Sequence, residues 1–159
     1  MNKTLLTTAL ITLLAIVLSA QNKRTTPIMG WSSWNHFGPN ISEELIKSQA
    51  DAMVATGMID AGYTFINTDD GFFGGRDEEG RLISHPEKFP SGMRALSDYI
   101  HDKGLKAGIY SDAGHNTCIC YSANDQYALG AGLFRHEESD LRQLLVEWNY
   151  DFIKVDWCG

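Results

Sequence analysis

The chain has 159 residues, enough for one domain with a substantial buried core. Hydrophobic residues make up 43% and charged residues 21%, the balance of an ordinary globular protein rather than a disordered or fibrous one. A formal net charge of −7 excludes nucleic acid as the expected partner, because phosphate binding needs a basic face.

The N-terminus differs from the rest. Lys3 precedes an apolar, uncharged run from Leu5 to Leu18, then the small residues Ser19 and Ala20 and the polar stretch Gln21-Asn22-Lys23-Arg24. This pattern predicts a secretory signal peptide over residues 1–20, with 21–159 as the exported domain. The apolar run is shorter than the roughly 20 residues that a spanning helix needs. No membrane association is therefore expected after cleavage, and the protein is expected in a periplasmic or secreted compartment.

Strand-like and helix-like segments then alternate. Ile28 to Trp31 follows Pro27 and predicts a first strand. Ser42 with Glu43 and Glu44 behind it predicts a helix start, and Ile46, Ala50, Met53 and Val54 recur at helical spacing until Gly57. Tyr63 to Asn67 predicts a second strand. Pro90-Ser91 predicts another helix start, with Leu96, Tyr99 and Ile100 on one face and Gly104 at its end. Leu105 to Tyr110 predicts a third strand. A helix follows over His136 to Trp148, with Leu141, Leu144, Leu145 and Trp148 at helical spacing, and Phe152 to Val155 predicts a fourth strand. Between strand and helix lie two stretches expected to be irregular, Gly71 to Phe89 and Ala113 to Arg135.

Alternation of this kind implies parallel strands and an α/β fold. A doubly wound sheet and a (β/α)8 barrel both satisfy the periodicity. A complete barrel needs about 250 residues, so a barrel reading makes this chain its first half, about four βα units.

The acids sit in a pattern. Asp69 and Asp70 follow the second strand, Asp112 follows the third, and Asp156 ends the fourth. Acids gathered at the carboxyl ends of successive parallel strands point to a catalytic mouth. Side chains two apart on a strand share a face, so Lys154 and Asp156 are expected to point inward together. A lysine in that place favours the charged carboxylate that a nucleophile requires. A metal-dependent hydrolase using Asp69, Asp70, Asp112 and His115 is a competing reading. Of the three cysteines, Cys118, Cys120 and Cys158, two are expected to pair in an oxidising compartment and one to remain a thiol. No second cysteine pair completes a structural zinc site.

Four blocks, MGWSSWNHFG, NTDDGF, KFPSGMRALSDYIHDKGLKAGIYSDAG and FIKVDWC, in this order, strongly resemble the glycoside hydrolase family of α-galactosidases and α-N-acetylgalactosaminidases, from about Pro27 to Gly159. The resemblance implies a (β/α)8 TIM barrel and a retaining glycosidase acting on terminal α-linked galactose in oligosaccharides or glycans, with no metal or other cofactor. It implies that Asp156 is the nucleophile and that Asp69, Asp70 and Lys154 bind sugar hydroxyls. Trp34 becomes an aromatic wall for the pyranose and Tyr110 a neighbour of the nucleophile. It implies a disulfide between Cys118 and Cys158 beside the sugar, with Cys120 free, and an acid/base residue on a later strand beyond Gly159. Many members have two further cysteines where this chain has Pro39 and Gly71, and a tryptophan at the pocket rim where it has Phe72. Related specificities, for N-acetylgalactosamine or β-L-arabinopyranosides, and an inactive carbohydrate-binding fragment are the alternatives. The aspartate pair favours galactose, because arabinopyranoside-preferring relatives carry Glu at one of its positions.

Overall fold

The structure is a computed structural model that describes residues 27–159; the signal-peptide reading of 1–20 lies outside the described residues. In chain order the elements are β1 (Gly30–Ser32), α1 (Trp34–Phe37), α2 (Glu43–Ala55), β2 (Phe65–Thr68), β3 (Phe73–Arg76), β4 (Leu82–Ser84) and α3 (Met93–Asp102). Then come β5 (Lys106–Asp112), α4 (Cys118–Ser122), a 3-10 turn (Gln126–Ala128), α5 (Glu137–Arg142) running into a π turn (Gln143–Glu147), and β6 (Phe152–Asp156). No helix among the described residues is long and apolar enough to cross a membrane.

Four strands form one parallel sheet in the order β1-β2-β5-β6. The helices between them begin and end where local chemistry directs. Ser42 caps α2 by accepting the Leu45 N–H at 3.2 Å, with Glu43 and Glu44 in the first turn opposite the helix dipole. Ile46, Ala50 and Met53 on α2 and Met93, Leu96 and Ile100 on α3 are buried, and so are Ile66, Ala107 and Ile109 on the sheet. All nine belong to one core cluster, the layer between helices and sheet. Gly104 ends α3 at φ 78°, a left-handed conformation that glycine adopts without strain.

The other face of the sheet is the interior. Phe65 and Phe152 meet edge-on across it at 6.1 Å. One layer higher, the Asn67 side chain fills the space over Gly108, where a Cβ would collide with it. Above these lie the polar residues at the carboxyl ends of the strands. The interior is therefore aromatic at its base, where the Lys106 ammonium lies 5.8 Å from the centre of the Phe65 ring, and rich in acids at its mouth.

Four features differ from the sequence expectations. The stretch from Gly71 to Phe89 holds an antiparallel hairpin, β3 on β4, rather than irregular chain. The stretch from Ala113 to Arg135 contains α4 and the 3-10 turn. The α3 helix starts at Met93, because Gly92 stands at φ 83° and ψ 161°, outside the helical region, while Glu43 Oε2 accepts the Ser91 N–H at 3.0 Å. The helix predicted over His136 to Trp148 changes to a π turn at Gln143, whose side-chain amide bonds both backbone groups of Leu82 at 3.1 and 2.7 Å. That wider turn breaks the 3.6 period: Leu144 is buried, whereas Leu141 and Leu145 face outward.

Pro39 and Gly71, where the resemblance implies a pair of cysteines, lie together. A Cβ on Gly71, at φ 122°, would meet the Pro39 carbonyl oxygen at 2.9 Å. The Lys88 ammonium donates to the Pro39 and Gly71 carbonyls at 3.1 and 3.5 Å, so hydrogen bonds from one cation join the two segments here. Phe72 is fully buried against Phe73 and Trp148 and takes no part in the pocket rim.

Candidate active site

Parallel register brings the ends of β2, β5 and β6 side by side. Tyr110 stands opposite Lys154 and Asp112 opposite Asp156. The Lys154 ammonium lies 3.0 Å from Asp69 Oδ2 and 3.3 Å from Oδ1, and 3.8 Å from Asp156 Oδ2. It also sits 5.1 Å from the centre of the Tyr110 ring, within cation–π range. One cation thus joins carboxylates from two strands, and its closer partner is Asp69 rather than its strand neighbour Asp156.

Asp69 is nearly buried and held on every side. Its Oδ2 accepts the Ser32 hydroxyl at 3.2 Å, its Oδ1 accepts the Asp70 N–H at 2.9 Å, and its own N–H goes to Ser33 Oγ at 3.0 Å. Asp156 is more open, with a side chain 44% exposed. Its Oδ1 accepts the Trp157 N–H at 3.0 Å, which leaves Oδ2 facing Lys154. Trp34 opens α1 at the carboxyl end of β1, half-buried and next to Ser33.

Asp70 points into a different environment from Asp69. Its Oδ1 accepts the Thr117 hydroxyl and its Oδ2 the Ile119 N–H, both at 3.0 Å. Burial pushes its carboxyl up to about 6, against the pull of these bonds. Tyr110 is also pushed upward by burial and by the negative charge of Asp70, Asp112 and Asp156, so the phenol stays neutral. Its oxygen accepts the Cys118 N–H at 3.4 Å.

Cys118 is bonded to Cys158, with Cα atoms 5.2 Å apart, and Cys120 is a free thiol. The disulfide closes the mouth between β5 and β6. Below it the buried Asp112 carboxylate accepts the Gly114 N–H at 2.7 Å and the Cys158 N–H at 2.9 Å, continuing the strand pairing past the end of β6. Among the described residues, one set of potential metal-ligand atoms converges: Asp112, Cys118 and Cys158, within 4.8 Å. The sulfurs of that set are bonded to each other and are not available as thiolates. Asp69, Asp70, Asp112 and His115 do not form such a set, and the His115 ring packs on Phe134 at 4.3 Å. The metal-hydrolase arrangement is not assembled.

Several contributors were not singled out from sequence: Ser32 and Ser33 on Asp69, Thr117 on Asp70, and Arg76. The Arg76 guanidinium pairs with the buried Asp140 at 2.8 and 2.6 Å and donates to the carbonyls of Gly80, Gly130 and Gly132. It ties the β3–β4 hairpin to the long loop that carries Thr117 and Cys118. A small hydroxyl or a lone arginine leaves no periodic signal, so only the serine pair Ser32-Ser33 at the end of β1 offered a hint.

The family profile described as "Alpha galactosidase A", of melibiase type, matches residues 26–159. The alpha-galactosidase A of Cellvibrio japonicus is 49% identical over 133 residues, 84% of this chain and 30% of its own length. The crystal structure of alpha-galactosidase I from Mortierella vinacea superposes with a TM-score of 0.74 at 38% identity, covering 86% of this chain and 33% of that one. The Saccharomyces cerevisiae alpha-galactosidase solved with raffinose gives 0.74 at 36% identity, with 84% and 27% covered. This chain thus spans about a third of the length of the relatives it matches. Its four-stranded parallel sheet is the first part of their (β/α)8 barrel. Match length, identity and superposition agree, and the chain belongs to the melibiase-type α-galactosidase family of glycoside hydrolases.

Proposed function

We propose that this chain supplies the nucleophile and the galactose-binding side of a retaining α-galactosidase, acting on terminal α-linked galactose in oligosaccharides. The observation that carries the reading is the Asp69–Lys154–Asp156 array, with one ammonium between a buried carboxylate and an open one at the barrel mouth. The raffinose complex of the Saccharomyces relative supports the substrate class.

In this reading Asp156 Oδ2 attacks the anomeric carbon. The bond to the leaving oxygen breaks as a second carboxylic acid, contributed by the remainder of the barrel, protonates that oxygen. The same group then deprotonates the water that opens the glycosyl-enzyme, so configuration is retained. Asp69 accepts hydrogen bonds from sugar hydroxyls while Lys154 donates to another, and such charge-assisted bonds discriminate the hydroxyl orientation of galactose. Asp70 completes the carboxylate pair, and Trp34 and Tyr110 supply the apolar and aromatic walls. The Cys118–Cys158 disulfide and the apolar run from Leu5 to Leu18 support an exported, oxidising location, with residues 1–20 as signal and 21–159 within the barrel domain.

The test is Asp156→Asn in the full-length protein, assayed on an activated α-galactoside. The expected result is loss of turnover by at least about 10⁴-fold with an unchanged circular dichroism spectrum. Near-parent rates would overturn the assignment of the nucleophile.

A further inference from the structure

Thr117 heads α4 in the extended backbone of an N-cap residue, φ −91° and ψ 164°, where a threonine hydroxyl ordinarily accepts an N–H of its own first turn. It makes no such bond. The hydroxyl, wholly buried, donates instead to Asp70 Oδ1, 47 positions earlier in the chain, and Asp70 Oδ2 takes the Ile119 N–H. The carboxylate at the end of β2 therefore caps α4 from outside.

The two bonds reach different oxygens, so together they set the rotation of the carboxylate plane. The segment that brings them is itself anchored. The Thr117 N–H goes to the Ala128 carbonyl at 3.2 Å, the Cys118 N–H to the Tyr110 oxygen, and Cys118 is bridged to Cys158. These ties hold the Thr117 backbone in place, and among the described residues its hydroxyl is the one side-chain donor to Asp70.

The geometry points to Thr117 as a positioning residue of the galactose site: its hydroxyl orients the Asp70 carboxylate and holds it in the anionic form that accepts a sugar hydroxyl, without touching the sugar. This rests on the reading of Asp70 as a sugar ligand. The charge balance around Asp70 agrees. Burial and the neighbouring Asp69 favour the neutral acid, while the Thr117 hydroxyl and the backbone N–H groups of Ile119 and Gly71 favour the anion. From β5, Tyr110 faces it as a neutral phenol, with Asp112 beyond; Lys154 on β6 is bonded to Asp69, and the Lys88 ammonium donates to the neighbouring Gly71 carbonyl rather than to Asp70. Removing one of three donors therefore weakens the anion at a carboxylate that, among the described residues, has no ion-pair partner.

Thr117→Val keeps the shape and deletes the donor, and Thr117→Ser keeps the donor. Both are compared with Asp70→Asn and the parent in the full-length protein, with kcat and KM on an activated α-galactoside measured from pH 4 to 8. Thr117→Val is expected to raise KM roughly ten-fold with little change in kcat, and to move the acid limb of kcat/KM upward by about one pH unit. Thr117→Ser should match the parent. A structural role alone would lower the folded fraction without moving the acid limb. If Thr117→Val does not fold, Thr117→Ala, which leaves space in place of the methyl group, is held to the same expectation. Parent-like KM and acid limb in the hydroxyl-free variant, beside a badly impaired Asp70→Asn, would overturn the role of Thr117 and leave that of Asp70 standing. Parent-like kinetics in Asp70→Asn would overturn the Asp70 reading and the inference with it.

Discussion

Lys154 Nζ stands 3.0 Å from Asp69 and 3.8 Å from Asp156, although Asp69 lies 85 positions away in the chain and Asp156 only two. The strand neighbour shares its face, but the parallel register brings the end of β2 closer. The ammonium is thus anchored to a buried carboxylate and presented to an open one. Such an arrangement keeps the Asp156 carboxylate accessible while its counter-charge stays in place.

Lys154→Met tests that anchoring. Asp69 would lose the ammonium bonded to it and keep the hydroxyl of Ser32 and the N–H of Asp70. The side chain of Lys154 is 42% exposed, so water offsets part of the loss. The expected destabilisation is about 1–2 kcal/mol, well below the cost for a fully buried pair. Activity should fall much further than stability, by roughly 10²-fold or more in kcat/KM, since sugar contact and the charge beside Asp156 go together. Denaturant unfolding and steady-state kinetics on the same preparation check both halves.

Asp70 predicts a pH dependence of stability. Its carboxyl is pushed by burial from 3.8 to about 6, so between these values the folded chain holds a proton that the unfolded chain has released. The stabilisation from protonated Asp70 is full below about 3.8 and is lost as pH rises through about 6. Two pH units correspond to as much as about 3 kcal/mol. Asp70→Asn should lose sugar binding yet flatten the stability profile over this window, with its largest relative gain at pH 7. Urea unfolding of parent and variant at pH 4, 5, 6 and 7 decides it; a constant difference between them would contradict the expectation.

The Arg76–Asp140 pair is structural, and its side chains are 12% and 1% exposed. Arg76→Met leaves a buried carboxylate without its cation and frees three loop carbonyls, at a cost of about 3–5 kcal/mol. The double variant Arg76→Met/Asp140→Leu should be less destabilised than the sum of the single variants, because no unpaired charge remains. A double-mutant cycle by chemical unfolding measures the coupling. Additive effects would mean that the two charges do not stabilise each other.

The disulfide joins residues 40 apart, and on the chain-entropy estimate its loss costs about 4 kcal/mol. Cys118→Ala/Cys158→Ala should lower the unfolding midpoint and raise KM, because the 117–119 segment that holds Asp70 loses its tether to β6. Peptide mapping without reduction should recover Cys118 linked to Cys158, with Cys120 alkylated. Cys120 in a mixed disulfide would contradict this pairing.

Local chemistry carried much of the fold into the sequence. The Ser42 cap, the helical spacing of Ile46, Ala50 and Met53, and Gly104 at the end of α3 each act within a few residues, so their pattern is visible without a partner. Strand alternation likewise put Lys154 and Asp156 on one face. The β3–β4 hairpin was missed because Gly74 and Gly75 interrupt its first strand and dilute any alternation. The turn at Gln143 was missed because its cause is a bond to Leu82, 61 positions away.

By itself the sequence determined the four parallel strands and the main helices between them, that its acids gather where strands end, and the family its four motifs resemble. Only the tertiary structure decided partners. It gave Lys154 to Asp69, gave Asp70 to Thr117 and Ile119, and set Pro39 against Gly71. The physical reason is range. Helix caps and strand faces follow from backbone geometry a few residues long, whereas an ion pair or a buried hydrogen bond goes to whichever group the register and the loops carry within about 3 Å.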